Sequence, residues 1–173
     1  MELDDAIRNR RTHKAYRPEP VERATLEELF ELARWAPNHH LTNPWRFRVL
    51  GPSARERLKA AANAVEPGSG KKLDRAPTLV ATTVEISGED PVQDREDLLA
   101  GGVAAYIVLL AAHNRGLAGY WRTPAVLRTP EGRAAVELGD EERFVALVHL
   151  GEARQGKEPP ARGPVGDFVR YLE

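Results

Sequence analysis

The sequence predicts a layered domain of the α/β or α+β class, in which helices pack on a β-sheet. Segments with helical spacing alternate along the chain with apolar or alternating segments that are typical of strands. The 173 residues fit one domain, and a composition of 42% hydrophobic and 29% charged residues is typical of a soluble globular protein. The sequence contains no internal repeat and no low-complexity tract. We therefore expect a single domain over residues 1–173.

In the first half of the chain, two capping-box patterns predict the starts of helices. Thr25 is followed three residues later by Glu28, and Ser53 is followed in the same way by Glu56. The predicted elements are a helix over 3–9, a helix from Thr25 to about residue 36, a strand over 46–50 and a helix from Ser53 to about residue 64.

The second half contains the longest predicted helix, residues 94–115, which Gly116 follows as a natural terminating residue. Thr129 before Pro130 predicts the start of another helix. The predicted strands are 78–86, 117–121 and 144–150. Residues 152–173 are polar and rich in proline, and we expect an extended tail. Because the tail ends in apolar side chains, we expect it to dock on a partner subunit.

Composition narrows the class of protein. The absence of cysteine excludes disulfides, thiolate nucleophiles, Cys-ligated zinc and iron–sulfur clusters. The N-terminus is too polar for a secretory leader. The longest uncharged apolar run, Leu98 to Ala112, has 15 residues, fewer than the ~20 needed to span a bilayer. We expect a buried core helix there, no membrane partner and a cytoplasmic location.

Several motifs of catalysis are missing or incomplete. GSGKK at 68–72 lacks the spacing of a Walker A loop, and neither G-x-G-x-x-G nor G-x-S-x-G occurs. His39 and His40 are adjacent and have no acidic neighbour, which favours a loop pair over a metal site. No pattern marks a catalytic acid–base pair. We predict neither a metal centre nor a catalytic side chain.

A basic segment, residues 8–17, stands out in a chain whose formal net charge is only −1. Five of its ten residues are arginine or lysine, and none is acidic. The planar guanidinium groups of Arg10 and Arg11, with the hydroxyl of Thr12, suit the oxygens of a phosphate. A solvated basic turn and a nucleic-acid-binding arm are alternatives that these residues alone leave open.

Two further segments combine turn residues with polar or aromatic side chains. In APNHHLTNPW, residues 36–45, prolines and asparagines predict a compact loop suited to a ligand, or a plain helix-to-strand connector. GYWRTPA, residues 119–125, carries aromatic rings, an arginine and a threonine at the end of a predicted strand. Tyr120 and Trp121 in the core are the alternative for this segment.

Together these segments resemble the nitroreductase family of FMN-dependent oxidoreductases. AIRNRRTHKAYRPEPV is similar to the family's opening, and LARWAPNHHLTNPWRFRVL resembles its Ala-Pro loop, Pro-Trp pair and strand. The helix with Gly101 and Gly102, then Trp121-Arg122-Thr123, resembles its central helix and following strand, and FVALVHLGEAR its last strand. The resemblance implies a nitroreductase-like, three-layer α+β fold, with a central, mostly antiparallel sheet flanked by helices. It also implies a homodimer with FMN at the interface.

The resemblance assigns residues to the cofactor site. Arg10, Arg11 and Thr12 match positions that bind the FMN phosphate and ribityl chain. Trp121, Arg122 and Thr123 match a segment that lies beside the cofactor.

Other assignments concern the second subunit and the tail. Asn38 to Asn43 match a loop that approaches the flavin from the other subunit, with His39 the leading contact. Trp35 stands where similar compact proteins carry a basic side chain near the flavin, and residues 111–116 lie where such proteins bind the nicotinamide cofactor. For a further phosphate ligand, the tail cations Arg154, Lys157 and Arg162 are alternatives.

The implied function is transfer of a hydride from NAD(P)H to flavin N5, and then to a small acceptor such as a nitroaromatic or a quinone. One shared pocket implies ping-pong kinetics. Other flavin chemistry on the same fold, such as dehydrogenation or dehalogenation, is an alternative, as is a non-enzymatic nucleic-acid-binding domain. The net charge of −1 and the lack of a DNA-reading motif argue against a nucleic-acid partner. The choice between NADH and NADPH stays open.

Overall fold

The computed structural model describes residues 1–172, which form five α-helices and four strands. The helices are α1 (Leu3–Asn9), α2 (Arg23–Ala33), α3 (Pro52–Val65), α4 (Pro91–Asn114) and α5 (Pro130–Ala135). The strands are β1 (Trp45–Val49), β2 (Thr78–Glu85), β3 (Ala118–Arg122) and β4 (Glu142–Gly151). Their order along the chain confirms the predicted alternation of helices and strands.

The four strands form one antiparallel sheet in the order β1-β2-β4-β3. Helices α1, α2 and α4 cover one face, and α3 and α5 cover the other. Each face has its own apolar core, with Val80 and Val148 on the α4 side and Leu79 and Leu147 on the α3 side. This arrangement confirms the predicted three-layer α+β fold with a flanked antiparallel sheet.

Both predicted capping boxes are wrong, although the helices that they announced are present. Helix α2 begins at Arg23 and α3 begins at Pro52, and in the described structure neither has a side-chain hydrogen bond at its N-cap. Thr25 and Ser53 therefore lie inside the first turns. The helical spacing of apolar residues identified both helices correctly, but each helix begins before the residue that was predicted to cap it.

Other helix boundaries follow their local signals. Thr129 Oγ1 accepts a hydrogen bond from the backbone N–H of Gly132 at 3.2 Å, which confirms the predicted start of α5. Helix α4 begins earlier than predicted, because Asp90 caps the N–H of Val92 at 2.8 Å. Gly116 has a φ of 77°, the left-handed conformation that glycine adopts without strain after a helix.

Helix α4 is the central helix of the α4-side layer and contacts all four strands. By length and composition it alone, among residues 1–172, could cross a membrane, but half of its most apolar stretch is buried inside the protein. Ala104, Ala105 and Ala112 on its inner face have no exposed area. The inner face of α4 is therefore buried in the core, as predicted, while part of its outer face is exposed.

The tail, residues 152–172, begins by running back along the basic segment. The backbone N–H of Arg17 donates to the carbonyl of Glu152 at 2.9 Å, and that of Arg154 donates to the carbonyl of Ala15 at 3.3 Å. Further on, Phe168 is 77% exposed and Tyr171 94% exposed. The first part of the tail thus packs on its own chain, and docking of the remainder on a second subunit stays a prediction.

Candidate functional site

The basic segment runs along the edge of the sheet, beside β3. Thr12 forms a parallel bridge with Gly119, and the backbone N–H of His13 donates to the carbonyl of Gly119 at 3.3 Å. Tyr16 forms an antiparallel bridge with Ala153 at the start of the tail. The part of the segment from Thr12 to Tyr16 is therefore held between β3 and the tail.

Five basic side chains come together at the α4 end of this segment, and we call them the cationic corner: Arg10, Arg11, His13, His113 and Lys157. Arg11 is only 8% exposed, and its Nη1 donates to the carbonyl of Arg10 at 2.6 Å. Lys157 Nζ donates to the carbonyl of Thr12 at 3.0 Å. His113 belongs to the last turn of α4. The N-terminal segment, α4 and the tail each contribute to the corner.

The charges of the cationic corner act on one another. Burial, and then the charges of Lys157, His113 and Arg10, lower the pKa of His13 below its ordinary value. Burial, and then the charges of Arg10 and Arg11, lower the pKa of His113. Within the described chain, no carboxylate is among the groups that shift either pKa. Among residues 1–172, the corner is therefore a concentration of basic groups in which both histidines have positive neighbours.

Three buried polar atoms of the corner have no hydrogen-bond partner among residues 1–172: Arg10 Nε, Arg11 Nε and His113 Nε2. Buried polar atoms are normally paired, because an unsatisfied one costs about 1–3 kcal/mol. Buried guanidinium groups also require a negative partner. The donors fit the oxygens of a phosphate, which a guanidinium binds through two parallel hydrogen bonds. The corner therefore has the chemistry of a phosphate site.

A cavity of about 620 Å³ opens beside the corner, a volume typical of a ligand site. Its lining includes Arg10, Arg11, Tyr106 of α4 and Arg162 of the tail. The guanidinium carbon of Arg10 lies 6.0 Å from the ring centroid of Tyr106. Arg154 is directed elsewhere, since its Nε donates to the carbonyl of Tyr16 at 2.7 Å. Of the three tail cations, Arg162 lines the cavity and Lys157 belongs to the corner.

The predicted ligand loop, residues 38–43, is held on the N-terminal half of α4. His39 Nδ1 lies 2.6 Å from Glu96 Oε2, and Thr42 Oγ1 donates to the buried Asp97 at 2.6 Å. His40, Leu41 and Asn43 have φ values of 53°, 54° and 48°, which are unfavourable for residues other than glycine. Strained backbone held in place by side-chain hydrogen bonds is common at ligand sites.

This loop does not meet the cationic corner within one chain. Glu96 and Tyr106 are ten residues apart on α4, which corresponds to roughly 15 Å along the helix axis. His39 and Asn43 therefore lie far from Arg10 and Arg11 of the same protomer. Trp35, after the end of α2, is 75% exposed, with the Arg34 guanidinium 5.9 Å from its ring centroid.

The segment Trp121-Arg122-Thr123 divides between the two faces of the sheet. Trp121 packs on the α4 side, whereas Arg122 lies on the other side and lines a small cavity with Glu66 and Ser69. Burial, despite the nearby Tyr120, lowers the pKa of Arg122, and Arg75 adds to this effect. The Nη1 of Arg122 is buried and has no partner within residues 1–172. Arg122 is thus apart from the cationic corner.

Two residues of the corner were not predicted from the sequence to belong to the phosphate site. No role was assigned to His13, and His113 was covered only by residues 111–116, the segment matched to the nicotinamide cofactor. A usable signal existed for His113, because it lies in the last turn of the helix that precedes the aromatic segment 119–125. No group of three side chains suited to a metal ion occurs in the described part of the chain.

The fold and this corner define a three-layer α+β protein with an edge site suited to a phosphate-bearing small molecule. Residues 7–152 match the family model described as the Nitroreductase family, and the chain belongs to that family. This confirms the family that the sequence resembles.

Individual relatives span almost the whole chain. The Bacillus subtilis protein YfhC, provisionally named an NAD(P)H nitroreductase, is 27% identical over 184 residues, which cover 99% of this chain and 93% of YfhC. A nitroreductase-like family protein from Bacillus cereus has a similar structure, with a TM-score of 0.88, 24% identity and coverage of 100% and 97% of the two chains. The FMN- and NADPH-dependent nitroreductase NfnB from a Sphingopyxis strain superposes with a TM-score of 0.84, 18% identity and full coverage of both chains. The two structures support the fold.

Proposed function

We propose that this protein is an FMN-dependent oxidoreductase that takes electrons from NAD(P)H and passes them to a small acceptor such as a nitroaromatic or a quinone. The main observation behind the proposal is that the buried Nε atoms of Arg10 and Arg11 have no hydrogen-bond partner in the described chain. Membership of the nitroreductase family, and relatives named for NAD(P)H and FMN, support the choice of cofactor and electron donor.

The residues of the cationic corner fit the phosphate of FMN. Arg10 and Arg11 would hold its oxygens, the Thr12 hydroxyl would bind next to them, and Arg162 would close the cavity from the tail side. When bound, FMN supplies the hydride chemistry. The protein's own contribution is to bind and orient the cofactor, which accords with the lack of any predicted catalytic side chain.

We further propose that the active unit is a homodimer. Helix α4 exposes Leu98, Leu99 and Val103 at 41%, 63% and 40%, and such a run of apolar side chains is typical of a subunit interface. In a dimer, His39, Asn43 and Trp35 of one protomer would reach the cofactor held by the other. Trp121 and Thr123 would lie beside it, whereas the position of Arg122 on the opposite face of the sheet argues against its predicted contact with the cofactor. The distance between the loop and the corner within one chain supports this division of the site.

The first experiment is a visible absorbance spectrum of the purified protein before and after addition of FMN. We expect flavin bands that NAD(P)H bleaches in the absence of air. Initial rates with a nitroaromatic or a quinone should then give parallel lines in double-reciprocal plots, as one shared pocket requires. A protein that neither carries nor takes up FMN would contradict the proposal, whereas intersecting lines would contradict only the shared pocket.

The phosphate assignment needs a variant with a matched control. We expect Arg10→Ala to weaken FMN binding by about 10- to 100-fold, since it removes a charge-assisted pair worth about 1.5–3 kcal/mol. Arg17→Ala removes an equal charge from the same segment, but Arg17 pairs with Glu152 at 3.5 Å and should leave FMN affinity nearly unchanged. Equal losses in both variants would indicate a nonspecific effect of charge.

A further inference from the structure

We propose that His113 and His13 are additional phosphate-binding residues and that they take up protons when the phosphate of FMN binds at the cationic corner. The inference rests on the proposed function and adds to it a linkage between cofactor binding and pH. Two imidazoles beside two arginines provide a site whose positive charge increases at the moment when the anion arrives.

Both imidazoles lie near the guanidinium group of Arg10 but come from different elements, and His113 also lies near Arg11. His113 projects from the last turn of α4, and its Nε2 is buried without a partner in the described chain, like the Nε atoms of Arg10 and Arg11. His13 comes from the extended segment that pairs with Gly119. Three unpartnered polar atoms in one buried place are expected to surround a bound group or water.

The charged groups that face the two imidazoles are all positive within residues 1–172. Arg10 and Arg11, from the N-terminal segment, act on His113. Lys157 from the tail, His113 from α4 and Arg10 act on His13. These neighbours, with burial, hold both pKa values below the ordinary value, so that both rings are neutral near pH 7.5 without a ligand.

A bound phosphate dianion raises the pKa values of both imidazoles. It offsets the charge of the arginines and the lysine, and a nearby negative charge favours the protonated imidazole. Near pH 7.5 free FMN contributes no proton of its own, because a phosphate monoester with a second pKa of about 6 is almost entirely a dianion there. Arginine stays charged throughout. Protons taken up from solvent at this pH therefore report on the imidazoles.

Isothermal titration calorimetry measures this uptake. FMN is titrated into the full-length apoprotein at pH 7.5 in two buffers with different ionisation enthalpies, and the difference in observed heat gives the number of protons bound. We expect uptake on the order of one proton per FMN. Riboflavin, which lacks the phosphate, is the matched control ligand, and we expect its binding to exchange no proton with these residues.

Variants assign the uptake to the two residues. His113→Gln and, separately, His13→Asn should each reduce the proton uptake and weaken FMN binding several-fold at pH 7.5, while riboflavin affinity stays the same. Arg17→Gln is the control for loss of charge and should keep the full uptake. Circular dichroism verifies that each variant is folded, and the second histidine variant serves if the first does not fold.

The outcomes separate this inference from the proposed function. FMN that binds without proton uptake, or uptake that both histidine variants retain, overturns the inference and leaves the flavoenzyme proposal standing. Equal uptake with riboflavin also overturns it, because the protons would then not follow the phosphate. Failure of FMN to bind at all overturns both proposals.

Discussion

Arg48 on β1 and Glu142 on β4 form a two-point ion pair across the intervening strand β2, with Nη1–Oε1 and Nη2–Oε2 distances of 2.8 Å each. Thr83 on β2 donates its hydroxyl to the same carboxylate at 2.6 Å, and the backbone N–H of Gly139 donates to it at 2.9 Å. Glu142 is only 6% exposed. One carboxylate thus links three strands at the end of the sheet.

Replacement of this carboxylate should destabilise the fold. We expect Glu142→Gln to lower the free energy of unfolding by about 2–3 kcal/mol, because Arg48 would lose its negative partner in a largely buried place. Glu85→Gln is the matched control, since Glu85 of β2 also pairs with an arginine of β1, Arg46, but is about half exposed. The control substitution should lower the free energy of unfolding by less than about 1 kcal/mol. Urea denaturation of both variants measures the difference, and equal effects would contradict this role for Glu142.

A second prediction concerns acid sensitivity and His149 on β4. His149 is fully buried, both ring nitrogens lack a partner among residues 1–172, and burial with nearby Arg122 lowers its pKa to about 3. Between that value and the ordinary pKa of 6.5, the unfolded chain binds a proton that the folded protein excludes. Stability should therefore be full above pH 6.5 and should fall as the pH decreases through this window.

The magnitude follows from linkage: one such group changes the free energy of unfolding by up to about 1.4 kcal/mol per pH unit. We expect His149→Phe, which keeps a ring beside Tyr120, to reduce the slope between pH 6 and pH 5; the rest of the slope comes from groups such as His13 and His113, whose pKa values are also lowered. This range lies above the pH at which Glu142 titrates, because hydrogen bonds from Arg48 and Thr83 outweigh burial and lower the pKa of its carboxyl. Urea denaturation at several pH values gives the slope, and an unchanged slope in the variant would count against His149.

Local signals in the sequence predicted the elements well, because the helical spacing of apolar residues and the Thr129-Pro130 pair act over a few residues. The capping boxes failed since Pro52 begins α3 before Ser53, and α2 likewise starts before Thr25. The antiparallel arrangement of the sheet was predicted from the family resemblance and not from any local pattern. The proximity of His113 to Arg10 could not be predicted, because it depends on the packing of α4 against a segment about a hundred residues earlier in the chain.

Adjacent glycines in α4 provide a third prediction. A Cβ on Gly101 would overlap Cγ1 of Val84 and lie 3.3 Å from Cγ2 of Val145, whereas a Cβ on Gly102 would meet only Trp121, at 3.8 Å. We expect Gly101→Ala to destabilise the protein by about 1–3 kcal/mol through overpacking. Gly102→Ala should instead stabilise it by about 0.5–1 kcal/mol, because alanine favours the helix. Thermal unfolding of the two variants tests the close approach of α4 to the sheet, and similar Tm changes would refute it.

The last prediction identifies the tail residue that assists the phosphate ligands. Arg162 lines the cavity with Arg10 and Arg11, Lys157 is engaged with the carbonyl of Thr12, and Arg154 with that of Tyr16. We therefore expect Arg162→Ala to weaken FMN binding by about tenfold, or about 1.4 kcal/mol, through loss of one charge-assisted contact. Quenching of flavin fluorescence on titration with apoprotein gives the affinity. Arg154→Ala, of equal charge change, should alter it less than threefold, and a larger loss in that control than in Arg162→Ala would reverse the assignment.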